Sequence, residues 1–200
     1  ELQPSVVEFF TSLGQSEAVY KALETMVASE GWASVEPAKK RLVEKELLGM
    51  KLSGISLEGE AKERFNAIQK DLAELATSFS NTVLDSRRAY ELILTDKADV
   101  EGFPATLLEM TAASAKANGH DAATADAGPW RITLDYPVSG PFMMHCKNRK
   151  LRETVYRVMI SVASTGELDN QPRIDSILKL RREKAKLLGY SSHAEISLAT

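Results

Sequence analysis

The sequence has 200 residues, enough for one domain with a sizeable core or for one and a half small ones. Its 44% hydrophobic and 26% charged residues are typical of an ordinary globular protein. The net charge of −3 argues against a dedicated nucleic-acid-binding protein, which usually has a clear basic excess. No apolar run approaches the roughly 20 residues that a membrane helix needs. We therefore expect neither nucleic acid nor a membrane as a partner.

The cysteine content and the first residues bear on the compartment. Cys146 is the single cysteine, which excludes an internal disulfide framework and fits a reducing compartment. The start, ELQPSVVEFF, has no charged segment followed by an apolar one, so no signal peptide is visible. We expect a protein that is not secreted, and any targeting peptide would lie upstream of these residues.

Apolar residues at helical spacing predict a helix over residues 5–28, and Gly14 leaves open two shorter helices instead. Pro37 can occupy the first turn of the next helix. The strongest pattern covers residues 57–87, with Ser56 as a candidate N-cap. One apolar stripe steps by four and three along it: Ala61, Phe65, Ile68, Leu72, Leu75, Phe79 and Val83. We interpret this stripe as core and not as a cofactor-binding surface.

The hydrophobic period changes to two at residues 90–95 and again at residues 130–135, so we predict two short strands that pair with each other. Their mutual direction stays open. Pro137 is expected to end the second strand, because proline cannot donate a hydrogen bond to a ladder. Between the strands, Pro104 and Gly119 bracket a predicted helix, with the glycine as its stop.

From about residue 141 the chain is predicted to be helical again, with a stripe formed by Leu151, Val155, Met159 and Val162. Another helix is capped by Asn170 or Gln171, has Pro172 in its first turn and ends at Gly189. Ser192 and Glu195 form a capping box for a further helix. No stop signal precedes Thr200, so we expect the chain to end inside an element. The predicted fold class is mainly α, a helical body with a small β element of two short strands.

The segment GPWRITLDYPVSGPFMMHCKNRKLRE, residues 128–153, looks most like a chemical site because it contains His145 beside Cys146. A zinc site needs three or four ligands with characteristic spacing, and neighbouring helical residues lie about 100° apart. There is no second cysteine, and His120 and His193 are distant in sequence. A cysteine nucleophile would also need a base that no motif marks. We therefore interpret the pair as a packed or partly exposed structural element.

Clusters of charged residues are alternative candidates for a functional site. Basic residues recur late in the chain: Lys147, Arg149, Lys150, Arg152, Arg157, Arg181, Arg182, Lys184 and Lys186. No aromatic residues are interleaved among them as stacking platforms, so a solvated face or ion pairs to a neighbouring domain is the preferred interpretation. Glu58, Glu60 and Glu63 are attributed to helix-dipole compensation. The glycines have no nucleotide-binding spacing. No catalytic, metal-binding or cofactor-binding residue is assigned.

Four segments in order resemble the thimet oligopeptidase and oligopeptidase A family of zinc metallopeptidases, leaning toward its bacterial and plant-organellar branch. They are FNAIQKDLAELATSFSNTVLD, LTDKADVEGFP, GPWRITLDYPVSGPFMMHCKNRKLRETVYR and LDNQPRIDSILKLRREKAKLLGYSSHAEISLAT. The resemblance implies a mostly helical, two-lobed enzyme with a deep channel that admits short, unfolded peptides. It implies catalysis at an H-E-x-x-H helix, where the two histidines and a downstream glutamate hold one zinc and the glutamate of the motif is the general base.

None of the three histidines is followed by Glu-x-x-His, so the resemblance implies that this chain is the pre-catalytic portion. Residues 1–200 would then form part of the channel-wall region, without the zinc domain and inactive alone. The segment 128–153 would be packed by Trp130, Ile132, Leu134 and Tyr136. Implied partners are short peptides, through the complete enzyme, and the remainder of its own chain. The implied compartment is the cytoplasm or an organelle.

Two alternatives stay open at this point. The chain could be a shortened relative that lost its zinc domain and serves as a helical binding or regulatory module. Whether the gene continues into H-E-x-x-H distinguishes this reading from the first. A nucleic-acid adaptor with a basic face would instead bind in a steeply salt-dependent way.

Overall fold

The computed structural model describes the backbone of residues 3–199 and the side chains of residues 5–199, which form a mainly helical protein. The helices are α1 Gln3–Gly14, α2 Glu17–Ala28, α3 Pro37–Leu52, α4 Gly59–Arg88, α5 Ala105–Ala117, α6 Tyr136–His145, α7 Arg149–Ile160, α8 Gln171–Leu187 and α9 His193–Leu198. The strands are β1 Leu92–Leu94 and β2 Trp130–Ile132. Within residues 3–199, no helix combines the length and the hydropathy that crossing a membrane requires.

The chain divides into two compact units, which meet in sequence between Ser78 and Phe79 and between Gln171 and Pro172. In the unit formed by residues 3–78 and 172–199, the predicted stripe of α4 supplies the fully buried Phe65 and Ile68. Buried partners come from other elements of this unit: Met50, Ile55, Ala185 and Ile196. A helix is therefore confirmed over most of residues 57–87, and its stripe is core at Phe65 and Ile68, whereas the other five stripe residues are partly exposed.

Polar bridges within the same unit join α4 to α8. The guanidinium of Arg64 donates two hydrogen bonds to the carboxylate of Glu183, at 2.6 and 2.8 Å. Lys184 Nζ donates to Gln69 Oε1 at 2.7 Å and lies 5.4 Å from the centre of the Phe65 ring. The register of α8 on α4 is thereby fixed by directional contacts as well as by apolar packing.

The unit formed by residues 79–171 is built around the two predicted strands, which pair in antiparallel register. Leu92 lies opposite Ile132, and Leu94 lies opposite Trp130. Trp130 and Ile132 are buried, whereas Arg131 between them turns outward, where its Nε donates to Glu91 Oε2 at 2.7 Å. The core also takes side chains from the surrounding helices and loops: Val100, Phe103, Leu107, Ala112, Leu134, Val138, Phe142, Cys146 and Val155. The period-two pattern therefore identified the sheet correctly.

Several predicted helix ends are confirmed by backbone geometry. Gly119 and Gly189 follow α5 and α8 with φ of +93° and +79°, the left-handed conformation that glycine adopts without a Cβ penalty. The amides of His120 and Tyr190 then donate to the carbonyls of Ala115 and Ala185. The Ser192 hydroxyl accepts from the Glu195 amide, as in a capping box, while Glu195 Oε2 accepts from the amide of Ser191 at 2.9 Å. Thr200, where we expected α9 to continue, lies outside the described residues.

Some boundaries differ from the predictions. Residues 5–28 form the two shorter helices α1 and α2, the alternative that Gly14 left open. Ser56 is not an N-cap, because a turn intervenes and α4 begins only at Gly59. The strands are shorter than predicted, since each ladder spans three residues. Burial does not alternate beyond the ladder of β2, because Thr133 and Leu134 are both buried.

The largest error concerns residues 136–145. Pro137 was expected to end β2, but the strand ends at Ile132 and the proline lies in the first turn of α6. There its missing N–H costs nothing, because first-turn amides have no partner within the helix. Tyr136, expected to pack in the core, is 81% exposed.

Candidate functional site

His145 and Cys146 do not form one site. His145 is the last residue of α6 and is exposed, whereas Cys146 follows it as the C-cap and is 3% exposed. The thiol Sγ lies 3.7 Å from the backbone oxygens of Asp99 and Asn148. Burial is the main cause that raises the pKa of this thiol above its ordinary value. A neutral, buried thiol is a poor nucleophile and a poor metal ligand, so Cys146 is part of the packed core.

The residues around Cys146 hold two loops together, and we call residues 99–102 with residues 145–152 the clamp. Asn148 Nδ2 donates to Asp99 Oδ1 at 2.9 Å, and Lys147 Nζ donates to Glu101 Oε1 at 2.7 Å. The hydrogen bond and charge of Lys147 lower the pKa of the Glu101 carboxyl. Arg152 Nη1 donates to the carbonyl of Cys146. The clamp is therefore a structural device that docks the start of α7 onto the loop before α5.

Asn148 is one of the clamp residues that the sequence analysis did not single out, together with Asp99 and Glu101. Its Oδ1 accepts from the amides of Lys150 and Leu151, which makes it the N-cap of α7. Asparagine is one of the preferred N-cap residues, so the signal was present just before the apolar stripe of α7. Its second role, the contact with Asp99, joins residues 49 positions apart and has no local signal.

Replacing Asn148 by alanine is expected to lower the free energy of unfolding by about 2 kcal/mol, because both the cap and the bond to Asp99 are lost. Serine at this position can restore the cap but cannot reach Asp99, so N148S is expected to lose about half as much. Urea unfolding followed by circular dichroism measures both variants. Equal losses for N148A and N148S would show that the cap contributes nothing.

Three of the five lysines and arginines of the clamp and of α7 have partners within residues 79–171. Lys147 pairs with Glu101, and Arg157 pairs with Glu153 at 2.7 Å one helical turn away. The Arg152 guanidinium is bound to the backbone carbonyls of Cys146 and Lys147. The cations of Lys147, Arg152 and Arg157 are therefore already paired with carboxylate or carbonyl oxygens. These three cations do not form a continuous phosphate-binding surface.

The other two histidines belong to different parts of the fold. His120 follows Gly119 in the loop after α5, and His193 is the first residue of α9. Among the described residues, no three side chains of His, Cys, Asp or Glu converge in a way that could hold a metal ion. The described residues thus offer no set of three ligands of the kind that a zinc centre needs.

His193 gives the stability a specific pH dependence. Its Nδ1 is buried without a hydrogen-bond partner, and burial, followed by the charges of Arg181 and Lys184, lowers its pKa below the ordinary 6.5. Between that lowered value and 6.5 the unfolded chain binds the proton more readily than the folded one. Stability should therefore fall as the pH falls below about 6.5.

The variant H193Q, which cannot titrate, should remove this part of the pH dependence when unfolding is measured between pH 5 and 7.5. H145Q, at an exposed histidine, is the matched control and should keep it. The carboxyls of Glu101 and Glu183 have pKa values lowered by Lys147 and Arg64, so their contribution is lost only below about pH 4.5 and does not interfere. Identical profiles for the wild type and H193Q would contradict the assignment.

A cleft of about 420 Å³ in the unit of residues 3–78 and 172–199 is mainly apolar. Leucines line most of its wall: Leu48, Leu52, Leu57, Leu187 and Leu188. Tyr190 and Lys51 complete it, together with two small residues and the backbone. This lining is suited to holding apolar groups and contains no acid–base pair for catalysis.

Comparison with known proteins gives matches at both ends of the chain and over its whole length. Residues 1–62 match the family model described as Neurolysin/Thimet oligopeptidase, N-terminal domain. Residues 142–200 match the model described as Peptidase family M3. Residues 145–152 of the clamp and α7 therefore lie near the beginning of the second matched region.

Three relatives align over nearly all of this chain. It is 50% identical to the Probable cytosolic oligopeptidase A of Arabidopsis thaliana over 100% of its own length and 28% of the relative's. The Organellar oligopeptidase A, chloroplastic/mitochondrial, of the same plant is 48% identical over 100% of this chain and 25% of its own length. The Oligopeptidase A of Escherichia coli (strain K12) is 35% identical over 98% and 29%. The chain thus spans little more than a quarter of these relatives, and over nearly its whole length its sequence is similar to oligopeptidase A proteins.

Proposed function

We propose that this chain is the helical, channel-wall portion of a zinc-dependent oligopeptidase that hydrolyses short, unfolded peptides. The observation that carries the proposal is 35% to 50% identity, over essentially the whole chain, to proteins named oligopeptidase A. Identity at this level along 200 residues reflects a shared fold and a shared place within a larger protein. The alternative of an independent binding module has no observation that favours it over this reading.

The division of labour within the enzyme is the second part of the proposal. The sequence has no H-E-x-x-H motif, and His145, Cys146 and His193 are not arranged as zinc ligands. We assign zinc and the reacting water to polypeptide beyond these 200 residues. The residues described here supply a rigid wall, because the clamp and the α4–α8 bridges fix each unit internally. Taken alone, the chain is proposed to be inactive.

The compartment follows from the names of the relatives and is equally a proposal. One plant relative is described as cytosolic and the other as chloroplastic or mitochondrial. A cytosolic or organellar location suits a chain whose single cysteine is a free, buried thiol.

A peptidase assay tests the proposal. The 200-residue chain should not cleave a short fluorogenic peptide, with or without added zinc. A chimera in which it replaces the aligned residues of the Arabidopsis cytosolic relative should cleave the peptide, should lose activity with a chelator and should regain it with zinc. Chelator-sensitive cleavage by the isolated chain would contradict the proposed division of labour, and an inactive chimera that unfolds cooperatively would contradict the proposed function.

A further inference from the structure

Helix α7 has a wider apolar surface than the core of its own unit covers. Its inward face carries Leu151, Val155 and Val158, of which Val155 is fully buried. On the adjoining flank, Tyr156, Met159 and Ile160 remain 52%, 39% and 65% exposed. At about 100° per residue these two groups together occupy an arc of roughly 200°. For a helix that packs against a core on a single side, an apolar stripe about half as wide as this arc is sufficient.

The rest of the helix surface is strongly polar, so the exposed apolar side chains of α7 are confined to one flank. The opposite flank carries exposed polar and charged residues: Lys150, Glu153, Thr154 and Arg157. Arg152 falls within the apolar arc, but its guanidinium is bound to the backbone carbonyls of Cys146 and Lys147. Arg149 also falls within the arc, but it is the first residue of α7 and lies two turns before Tyr156. The flank from Tyr156 to Ile160 therefore contains no charged side chain.

We propose that the apolar flank of α7, defined by Tyr156, Met159 and Ile160, is an intramolecular interface covered by further polypeptide of the same protein. This inference rests on the proposed function. The flank lies within residues 142–200, which match Peptidase family M3, and the relatives contain more than three times the length of this chain. Tyrosine and methionine are enriched at the centres of protein interfaces, and Arg149 and Glu153 provide the polar rim.

Thiol labelling tests the interface without depending on activity. Cys146 is the single natural cysteine and is buried, so I160C introduces one accessible thiol. T154C, on the polar flank of the same helix, is the matched control. Each variant is labelled with iodoacetamide in the 200-residue chain and in the chimera with the Arabidopsis relative, and mass spectrometry measures the rate at each position.

In the isolated chain, residues 154 and 160 should react at similar rates. In the chimera, residue 160 should react at least tenfold more slowly, whereas residue 154 should not change. Y156C is a second variant on the apolar flank and should follow I160C. Protection of Cys146 reports in the same experiment that the clamp is folded.

Equal rates at residue 160 in the two proteins, with Cys146 protected in both, would overturn the proposal. A rate at residue 160 that falls with concentration in the isolated chain would show that a second copy covers the flank, which also overturns it. An inactive chimera with a protected residue 160 contradicts the proposed function but retains the interface. An active chimera in which residue 160 is exposed contradicts the interface but retains the proposed function.

Discussion

Replacing Phe142 by alanine is expected to lower the free energy of unfolding by about 3–5 kcal/mol, the range for deleting a buried aromatic ring. Phe142 is fully buried in α6, and its ring meets that of Phe103 edge to face, with centroids 5.7 Å apart. The variant leaves a cavity at the centre of the core of residues 79–171 and removes this aromatic contact. Urea unfolding followed by circular dichroism gives the free energy directly.

Met144 provides the matched control, because it lies on the same helix and is 71% exposed. M144A should change the free energy of unfolding by no more than about 0.5 kcal/mol. A similar loss in both variants would show that α6 is not held by the buried ring. F142L, which keeps most of the apolar volume, should recover more than half of the loss.

Replacing Gly102 by alanine is expected to lower the free energy of unfolding by about 3 kcal/mol, from backbone strain and a steric clash together. Gly102 has a φ of +93°, and a Cβ there would lie 2.7 Å from the carbonyl oxygen of His145. That oxygen cannot move freely, because the amide of the next residue, Cys146, donates a hydrogen bond of 2.9 Å to the carbonyl oxygen of Phe142. The substitution should therefore open the clamp.

Gly119 isolates the contribution of the clash. It has the same φ of +93°, but a Cβ there would meet nothing within 4 Å. G119A should therefore cost only the strain, about 1–2 kcal/mol. Cys146 should also react faster with a thiol reagent in G102A than in G119A, since only the former disturbs the clamp. Equal destabilisation and equal reactivity would rule out the close approach as the cause.

Part of this protein was determined by short-range sequence patterns. The stripe of α4, the glycine stops at Gly119 and Gly189, and the N-cap bond of Ser192 with Glu195 each depend on residues within a few turns of one another. The four ordered segments correctly predicted the resemblance to oligopeptidase A proteins, because shared ancestry preserves sequence along the whole chain. Such features need no knowledge of the tertiary fold.

The conformation and the burial of residues 136–153 were determined by the tertiary structure. Tyr136, Gly140 and Pro141 are poor local signals for a helix, yet α6 forms because Val138 and Phe142 are buried by distant elements. The same contacts bury Cys146 and expose its neighbour His145. Asn148 could be recognised as an N-cap from sequence, but its bond to Asp99 could not.

The physical reason lies in the range of the interactions. Hydrophobic periodicity and capping residues report the conformation of a segment, because they act between residues three or four positions apart. They do not report which of two apolar flanks meets the core, as α7 illustrates: Val155 is buried, while Ile160 is 65% exposed. The sequence by itself therefore determined most of the helices, the paired strands and the resemblance to oligopeptidase A proteins, whereas long-range packing decided α6, the clamp and which side chains remain exposed.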